Sequence, residues 1–162
     1  MMVITILAMV AVLVMPMLTD NTRLRLQAGA SIVISDLELA QVMTMAQPDR
    51  PVLVRFDNAN SRYWLAYADN PGEPITHPQS GEPYLVSFGS GRASSVGDIL
   101  LNARLGTGGT DLRFAPHGGL EQFGLAPNIN LGIPQGDRTY WIIVEIDTST
   151  GSMSQSYLTT GG

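Results

Sequence analysis

The stretch that decides the fold is residues 1–18, MMVITILAMVAVLVMPML, in which only Thr5 and Pro16 are not apolar. No charged residue precedes Asp20. An α-helix rises about 1.5 Å per residue, so this run spans roughly 27 Å, close to the ~30 Å hydrocarbon core of a bilayer. Because the run is apolar on every face, we expect a helix that is buried all round, in lipid or in a bundle of like helices.

Pro16 has no amide proton, so it should kink or loosen this helix. A cleaved secretory signal is disfavoured because no Lys or Arg precedes Arg23 and residues 14–16 make a poor cleavage site. A core helix of a soluble protein is a further alternative, although such helices are rarely apolar all round at a chain terminus. The side chains that a membrane or filament-core helix would bury are Val3, Ile6, Leu7, Ala8, Val10, Ala11, Leu13, Val14 and Pro16.

The helical pattern continues as an amphipathic half. After a polar break at residues 19–22, apolar residues recur at intervals of four, three, four and three, which is one face of a 3.6-residue helix. Pro48 should end the helix near Ala46, because the residue before a proline is pushed out of the α region. A folded domain is expected to pack on five positions of this face, Leu26, Ala30, Val33, Leu37 and Ala40.

Three polar residues of the same half, Asp36, Glu38 and Gln41, fall largely off the apolar face. The first half of the helix is therefore apolar all round, and the second half presents one apolar stripe. These halves are followed by a β-rich globular domain, so the three units of the chain are residues 1–18, 19–47 and 51–162.

From residue 51 the apolar period changes from 3.6 to 2, which is typical of strands. Val52, Val54 and Phe56 alternate along one strand, and residues 62–67 follow as its hairpin partner. Residues 69–83 are so rich in proline and glycine that we expect a loop there rather than sheet. That loop is a candidate contact surface for a partner protein.

Further short strands are expected at residues 84–88, 99–103, 111–114, 140–147 and 152–157. The continuous apolar run over residues 140–146 indicates a central strand. The predicted fold class is α+β, one long N-terminal helix followed by an antiparallel β-sheet domain.

Composition excludes several kinds of chemistry. The chain of 162 residues has no cysteine, so disulfides, thiolate catalysis and cysteine-bound metals are impossible. The net charge is −5, and the sequence shows no basic patch that could neutralise a phosphate backbone.

Catalytic and metal chemistry finds no support in the remaining motifs. His77 and His117 sit in separate turns flanked by proline or glycine. The glycine-rich residues 106–110 lack the lysine of a phosphate-binding loop, and Asp147 has too few oxygens spaced correctly for calcium. We therefore predict no catalytic, cofactor-binding or metal-binding residues, and no enzymatic activity.

Five segments carry a resemblance to a known family, namely residues 2–16 (MVITILAMVAVLVMP), 35–40 (SDLELA), 50–57 (RPVLVRFD), 112–118 (LRFAPHG) and 144–151 (VEIDTSTG). The first resembles an apolar helix that ends in proline. The next two resemble a junction from helix to first strand, and the last two resemble closing strands and their turn. Together they resemble the type IV pilin-like family, and more closely the H-type minor pseudopilins of type II secretion (the GspH/FimT-like group).

The start of the chain departs from that pattern. Mature members of the family begin after a short basic leader and a glycine, with an N-methylated Phe and a Glu at the fifth position. This sequence opens directly on Met1, Met2 and Val3. We expect the leader, the cleavage site and the Glu to be encoded upstream of Met1, so that the sequence is a truncated form.

The resemblance implies a structural subunit of a secretion pseudopilus. It implies single-pass anchorage in the inner membrane, a globular domain in the periplasm, a methylated N-terminus and no cofactor. The implied partners are other pseudopilin or pilin subunits and the secretion-assembly platform. Ala8 and Ala11 would permit close approach between helices at the filament core. Arg23 and Arg25 alone would place their side in the cytoplasm, but a basic leader would outweigh them.

Two other functions stay open. A minor type IV pilin would act in pilus assembly or DNA uptake, yet residues 139–162 carry no Lys or Arg, so no nucleic-acid partner is expected. A membrane-anchored binding module of unrelated type could use Tyr63, Trp64 and Trp141 as a ligand platform. Neighbouring strand residues point to opposite faces, so Tyr63 and Trp64 cannot both join it.

Overall fold

The structure is a computed structural model that describes residues 17–106, 108–121 and 125–160. Helix α1 is Met17–Ala46, and two short 3₁₀ segments are Asn58–Asn60 and Gly91–Val96. A long helix followed by antiparallel sheets confirms the α+β class. The strands of the described residues are β1 (Val52–Asp57), β2 (Arg62–Tyr67), β3 (Leu85–Ser87), β4 (Leu100–Arg104), β5 (Asp111–Arg113), β6 (Asn128–Gln135), β7 (Arg138–Ile146) and β8 (Met153–Thr160).

The strands divide between two four-stranded sheets, a division that the sequence did not indicate. The first sheet has the order β3-β2-β1-β5, and the second has the order β4-β6-β7-β8. Every neighbouring pair is antiparallel. The predicted hairpin of β1 and β2 is confirmed, with Val54 opposite Leu65. Strand β7 lies inside the second sheet, as its continuous apolar run predicted.

Strand β6 is absent from the sequence-based prediction. Its sequence does not read as a strand because it contains Gly132 and Pro134, and both residue types are depleted in strands. Its inward side chains Ile129, Leu131 and Ile133 nevertheless alternate along the strand and are buried. Pro134 lies beyond the last pair that β6 makes with β4, so its missing N–H removes no bond from that side of the ladder.

Helix α1 packs against both sheets, with contacts to β1, β6, β7 and the segment Gly91–Val96. Leu26, Ala30, Val33, Leu37 and Ala40 are each no more than 1% exposed and belong to the core shared by the helix and the sheets. The core thus lies between the amphipathic half of the helix and the inner faces of the two sheets.

Gly29 lies where the helix packs tightly against the domain. A Cβ built on this residue would lie 2.8 Å from Cδ1 of Ile99. Real Cβ atoms do not come so close, so a glycine permits this packing. The absence of a side chain explains why a residue that lowers helix stability stands in the middle of α1.

The position of Asp36 differs from the expectation that it falls off the packed face. Asp36 is 1% exposed, and Gln41 is half-buried against the domain, whereas Glu38 is exposed as expected. Position 36 is three residues after Val33 and four before Ala40, so it shares their side of the helix. A carboxylate is tolerated there because the domain supplies its hydrogen-bond partners.

Residues 1–16 lie outside the described residues, and with them the predicted membrane or filament-core side chains from Val3 to Pro16. Within residues 17–106, 108–121 and 125–160, no helix combines the length and the apolar character needed to cross a membrane.

Candidate functional site

Four polar side chains of α1 hydrogen-bond to the sheet domain and define what we call the helix–domain seam: Arg25, Asp36, Gln41 and Thr44. Near the start of the helix, Arg25 Nε donates to the carbonyl of Val96 at 2.7 Å. In the last turns of the helix, Thr44 Oγ1 donates to the carbonyl of Val52 at 3.1 Å and accepts from its N–H at 3.0 Å. The seam therefore holds the helix at both ends of its buried stripe.

Asp36 is the centre of the seam. Its Oδ2 accepts from the Tyr63 hydroxyl at 2.7 Å, and its Oδ1 accepts from the Tyr84 hydroxyl and from Arg92 Nη2, each at 2.7 Å. Because the ion pair with Arg92 and two hydroxyl donors surround it, the buried carboxylate is compensated. One side chain thus connects the helix to β2, to the residue before β3 and to the segment Gly91–Val96.

The two tyrosines of this cluster stay protonated at neutral pH. Burial raises the pKa of Tyr63 well above its ordinary value, and the negative charge of Asp36 adds to that effect. Burial likewise raises the pKa of Tyr84 to about 12, with a further contribution from its hydrogen bond to Asp36. Both hydroxyls are therefore permanent donors to the carboxylate.

Gln41 joins two turns that are far apart in sequence. Its Nε2 donates to the carbonyl of Gly118 at 2.6 Å and to the carbonyl of Thr150 at 3.2 Å. Gly151 has φ +70°, and a Cβ there would collide with the carbonyl oxygen of Gly118 and with the Gln41 side chain. Only a glycine allows the two turns to stack closely beside the helix.

The turn at Asp147 is held by its own hydrogen bonds. Asp147 Oδ1 accepts from the N–H and hydroxyl of Ser149 at 3.0 and 2.6 Å, and from those of Thr150 at 2.9 and 3.0 Å. The Ser149 hydroxyl, and then the donors of Thr150, lower the pKa of Asp147 to about 2. These donors orient the carboxylate to close the turn that Gln41 contacts.

Residues 69–83 are more ordered than the expected loop. Isolated β-bridges join Ala66 to Pro74 and Thr76 to Pro83. Ile75 is buried, its N–H donates to the carbonyl of Leu65 at 2.8 Å, and its carbonyl accepts from Tyr84 N–H at 2.7 Å. No strand lies within residues 69–83, so the expectation of loop rather than sheet is confirmed, and the two bridges and the hydrogen bonds of Ile75 hold this loop against β2.

The histidines lie apart. His77 Nδ1 accepts from the N–H groups of Gln79 and Ser80 at 3.2 and 3.3 Å, and its ring stacks on Tyr84 at 4.7 Å. His117 is exposed in another turn. Across the part of the chain that the structure describes, no three His, Asp or Glu side chains are grouped so that they could hold a metal ion.

The suggested aromatic platform is not assembled. Tyr63 is fully buried, whereas Trp64 is half-buried on the other face of β2, where its Nε1 donates to the carbonyl of Pro71 at 3.1 Å. Trp141 belongs to the other sheet. The structure thus divides the three aromatic residues between the core and two separate surfaces.

The helix–domain seam is absent from the sequence-based prediction, although the helix carries a signal for it. Thr22 and Thr44 extend the apolar stripe by one four-residue step beyond Leu26 and Ala40, and both threonines are buried. A stripe that continues through polar residues at helical spacing indicates buried hydrogen bonds. Which domain groups would pair with them could not be read from the helix.

No protein-family model, no curated protein and no solved structure matches this chain. The residues of the chain and their arrangement are therefore the basis on which a function can be proposed.

Proposed function

We propose that this chain is an H-type minor pseudopilin, a structural subunit of a type II secretion pseudopilus, with no enzymatic activity. Its apolar residues 1–18 anchor it in the inner membrane and enter the filament core on assembly. The sheet domain faces the periplasm and contacts neighbouring subunits. Its partners are other pseudopilins and the assembly platform of the secretion machine.

One observation carries the proposal. Segments of the sequence that resemble the pseudopilins meet in space beside the second half of α1. Residues 112–118 and 144–151 form the two turns that Gln41 holds, and residues 35–40 supply Asp36, the centre of the seam. These segments are distant in the sequence but close in space. Their proximity supports the resemblance to the family, because short matches that arose by chance would not be expected to lie together.

The seam suits a subunit that is moved by its helix. A force on residues 1–18 during extraction from the membrane would pass along α1 to the sheet domain. Buried apolar contacts resist separation but offer little directional restraint, whereas hydrogen bonds such as those of Asp36 and Thr44 fix position along the helix axis. The domain would therefore move with the helix as one piece.

Deletion of the gene in its own host tests the proposal. We expect proteins that carry secretory signals to disappear from the medium and accumulate in the periplasm, with rescue by the wild-type gene. Surface pili and uptake of DNA should be unchanged. Loss of pili or of DNA uptake with normal secretion would instead identify a minor type IV pilin, and no change in either process would overturn both functions.

A further inference from the structure

The outer face of the second sheet carries a cleft that the proposed function does not use. Side chains directly opposite each other on neighbouring strands share a face. The register places Asn102 beside Asn130 and Arg104 beside Asn128, and Asn128 in turn lies beside Glu145. These residues and Trp141 line a cleft of about 400 Å³, within the range of about 300–1,000 Å³ that is typical of small-molecule sites.

The indole of Trp141 and the side chain of Ile143 form the apolar wall of the cleft. Trp141 lies opposite Gly132 on the neighbouring strand. A Cβ at Gly132 would come within 2.6–2.8 Å of three atoms of the six-membered ring. The ring therefore lies flat against the backbone of β6, and it is only half-buried. The exposed part of this half-buried ring is an apolar surface on which a ligand could stack.

The polar wall combines amide donors and acceptors. Asn130 Nδ2 donates to the backbone carbonyl of Asn102 at 3.3 Å and to Asn128 Oδ1 at 3.1 Å. These bonds orient the amides. Within the described residues, Asn130 Oδ1 and Asn128 Nδ2 have no side-chain hydrogen-bond partner, so a ligand could bond to both atoms. An amide row of this kind suits groups that both donate and accept, such as hydroxyls.

The charges of Arg104 and Glu145 restrict the kinds of ligand that the cleft could bind. Arg104 and Glu145 are exposed at the two sides of Asn128, and neither forms a salt bridge within residues 17–106, 108–121 and 125–160. Glu145 would repel a phosphate or a nucleic acid, and Arg104 would repel a cation. The cleft therefore favours an uncharged ligand with many hydroxyls and one flat apolar face.

We propose that this cleft binds a neutral pyranose oligosaccharide. The C–H face of one sugar ring stacks on Trp141, and its hydroxyls bond to the amides of Asn128 and Asn130 and to Arg104 and Glu145. Equatorial hydroxyls leave the ring face flat, so β-1,4-linked glucose or N-acetylglucosamine units fit this geometry. The inference does not depend on membership of a secretion filament.

Tryptophan fluorescence tests the proposal directly. The chain has two tryptophans, so Trp64→Phe leaves Trp141 as the only one. The full chain, in a detergent without a sugar headgroup, is titrated with cellotriose and with chitotriose. We expect a saturable change in emission with at least one of them, and calorimetry on the wild-type chain should give the same dissociation constant.

Matched variants separate binding from folding. Trp141→Ala should weaken binding in calorimetry by about tenfold or more, because the stacking face is lost. Gly132→Ala should also weaken binding by displacing the ring, whereas Gly72→Ala, with open space around its Cβ, should not. If Trp141→Ala does not fold, Glu145→Gln replaces it and should weaken binding. Absence of saccharide binding in the wild-type chain would overturn the proposal, and so would binding that Trp141→Ala, Gly132→Ala or Glu145→Gln leaves unchanged.

Discussion

At the scale of single residues, Asp36 connects the helix to Tyr63, Tyr84 and Arg92 of the sheet domain. It is the only buried carboxylate in the core of the described residues, and all its partners come from the sheet domain. A carboxylate in such a place specifies one position of the helix, because a shift along its axis would leave the carboxylate without donors.

Replacing Asp36 by Ala should lower the free energy of unfolding by about 2–4 kcal/mol, because two buried tyrosine hydroxyls lose their acceptor. The positive charge left on Arg92 can turn toward water, since its side chain is 36% exposed. Chemical denaturation of the full chain in detergent measures the change. Glu38→Ala on the exposed side of the same helix is the control and should change stability by less than about 0.5 kcal/mol. Equal losses in the two variants would contradict this role of Asp36.

The hydrogen bonds of Asp147 predict that the free energy of unfolding depends on pH under acidic conditions. The folded state lowers the pKa of Asp147 from 3.8 to about 2, so the unfolded chain binds this proton more readily. The stabilisation is therefore present above pH 3.8 and is lost as pH falls toward 2. The difference in unfolding free energy between wild type and Asp147→Asn should shrink over that interval.

Thr150→Val provides a direct control for this assignment. It removes one hydroxyl donor to Asp147 Oδ1 but keeps the carboxylate. The pKa of Asp147, followed by carboxyl NMR chemical shifts, should rise toward its ordinary value in the variant. An unchanged pKa would mean that the Thr150 hydroxyl does not stabilise the charged form.

At the scale of elements, the fit of α1 against the domain depends on Gly29. Gly29→Val should destabilise the fold by about 1–3 kcal/mol, because the new side chain would displace Ile99. Ala28→Val, one residue earlier and exposed, introduces the same β-branched side chain and should cost less than about 1 kcal/mol. Thermal unfolding by circular dichroism measures both variants. Because helix propensity alone favours Val over Gly, a Gly29→Val variant as stable as the wild type would show that the packing of Ile99 does not require a glycine.

Residues 69–83 should be stabilised chiefly by Ile75. Ile75→Ala should cost about 2–5 kcal/mol, because it leaves a cavity beneath the segment. Thr76→Ala, its exposed neighbour, should have little effect on the free energy of unfolding. Limited proteolysis should show cleavage within this segment in Ile75→Ala but not in Thr76→Ala. If both variants resist proteolysis, contacts other than those of Ile75 hold this segment in place.

At the scale of the whole molecule, the proposed orientation can be measured because the chain has no cysteine of its own. Ser154→Cys lies on the exposed strand β8, and Ala66→Cys lies in the core with no exposed surface. In intact spheroplasts a membrane-impermeant maleimide should label Cys at position 154 but not at position 66. Labelling of position 154 only after lysis would place the domain in the cytoplasm.

Local patterns predicted the elements best where one period holds over several residues. The end of α1 at Ala46, the β1–β2 hairpin and the interior strand β7 all follow from the spacing of apolar residues and from Pro48. Strand β6 was not predicted because Gly132 and Pro134 interrupt its apolar pattern. Tertiary structure explains both residues: Gly132 leaves room for the ring of Trp141, and Pro134 lies outside the pairing of β6 with β4.

The sequence by itself determined the apolar character of residues 1–18, the amphipathic stripe of α1 and the alternation of most strands, because these patterns depend on neighbouring residues. Only the tertiary structure decided that the strands form two sheets, that Asp36 is buried with Tyr63, Tyr84 and Arg92, and that two distant turns meet at Gln41. The physical reason is that a buried polar group needs partners from remote parts of the chain, and no local pattern specifies which parts come together.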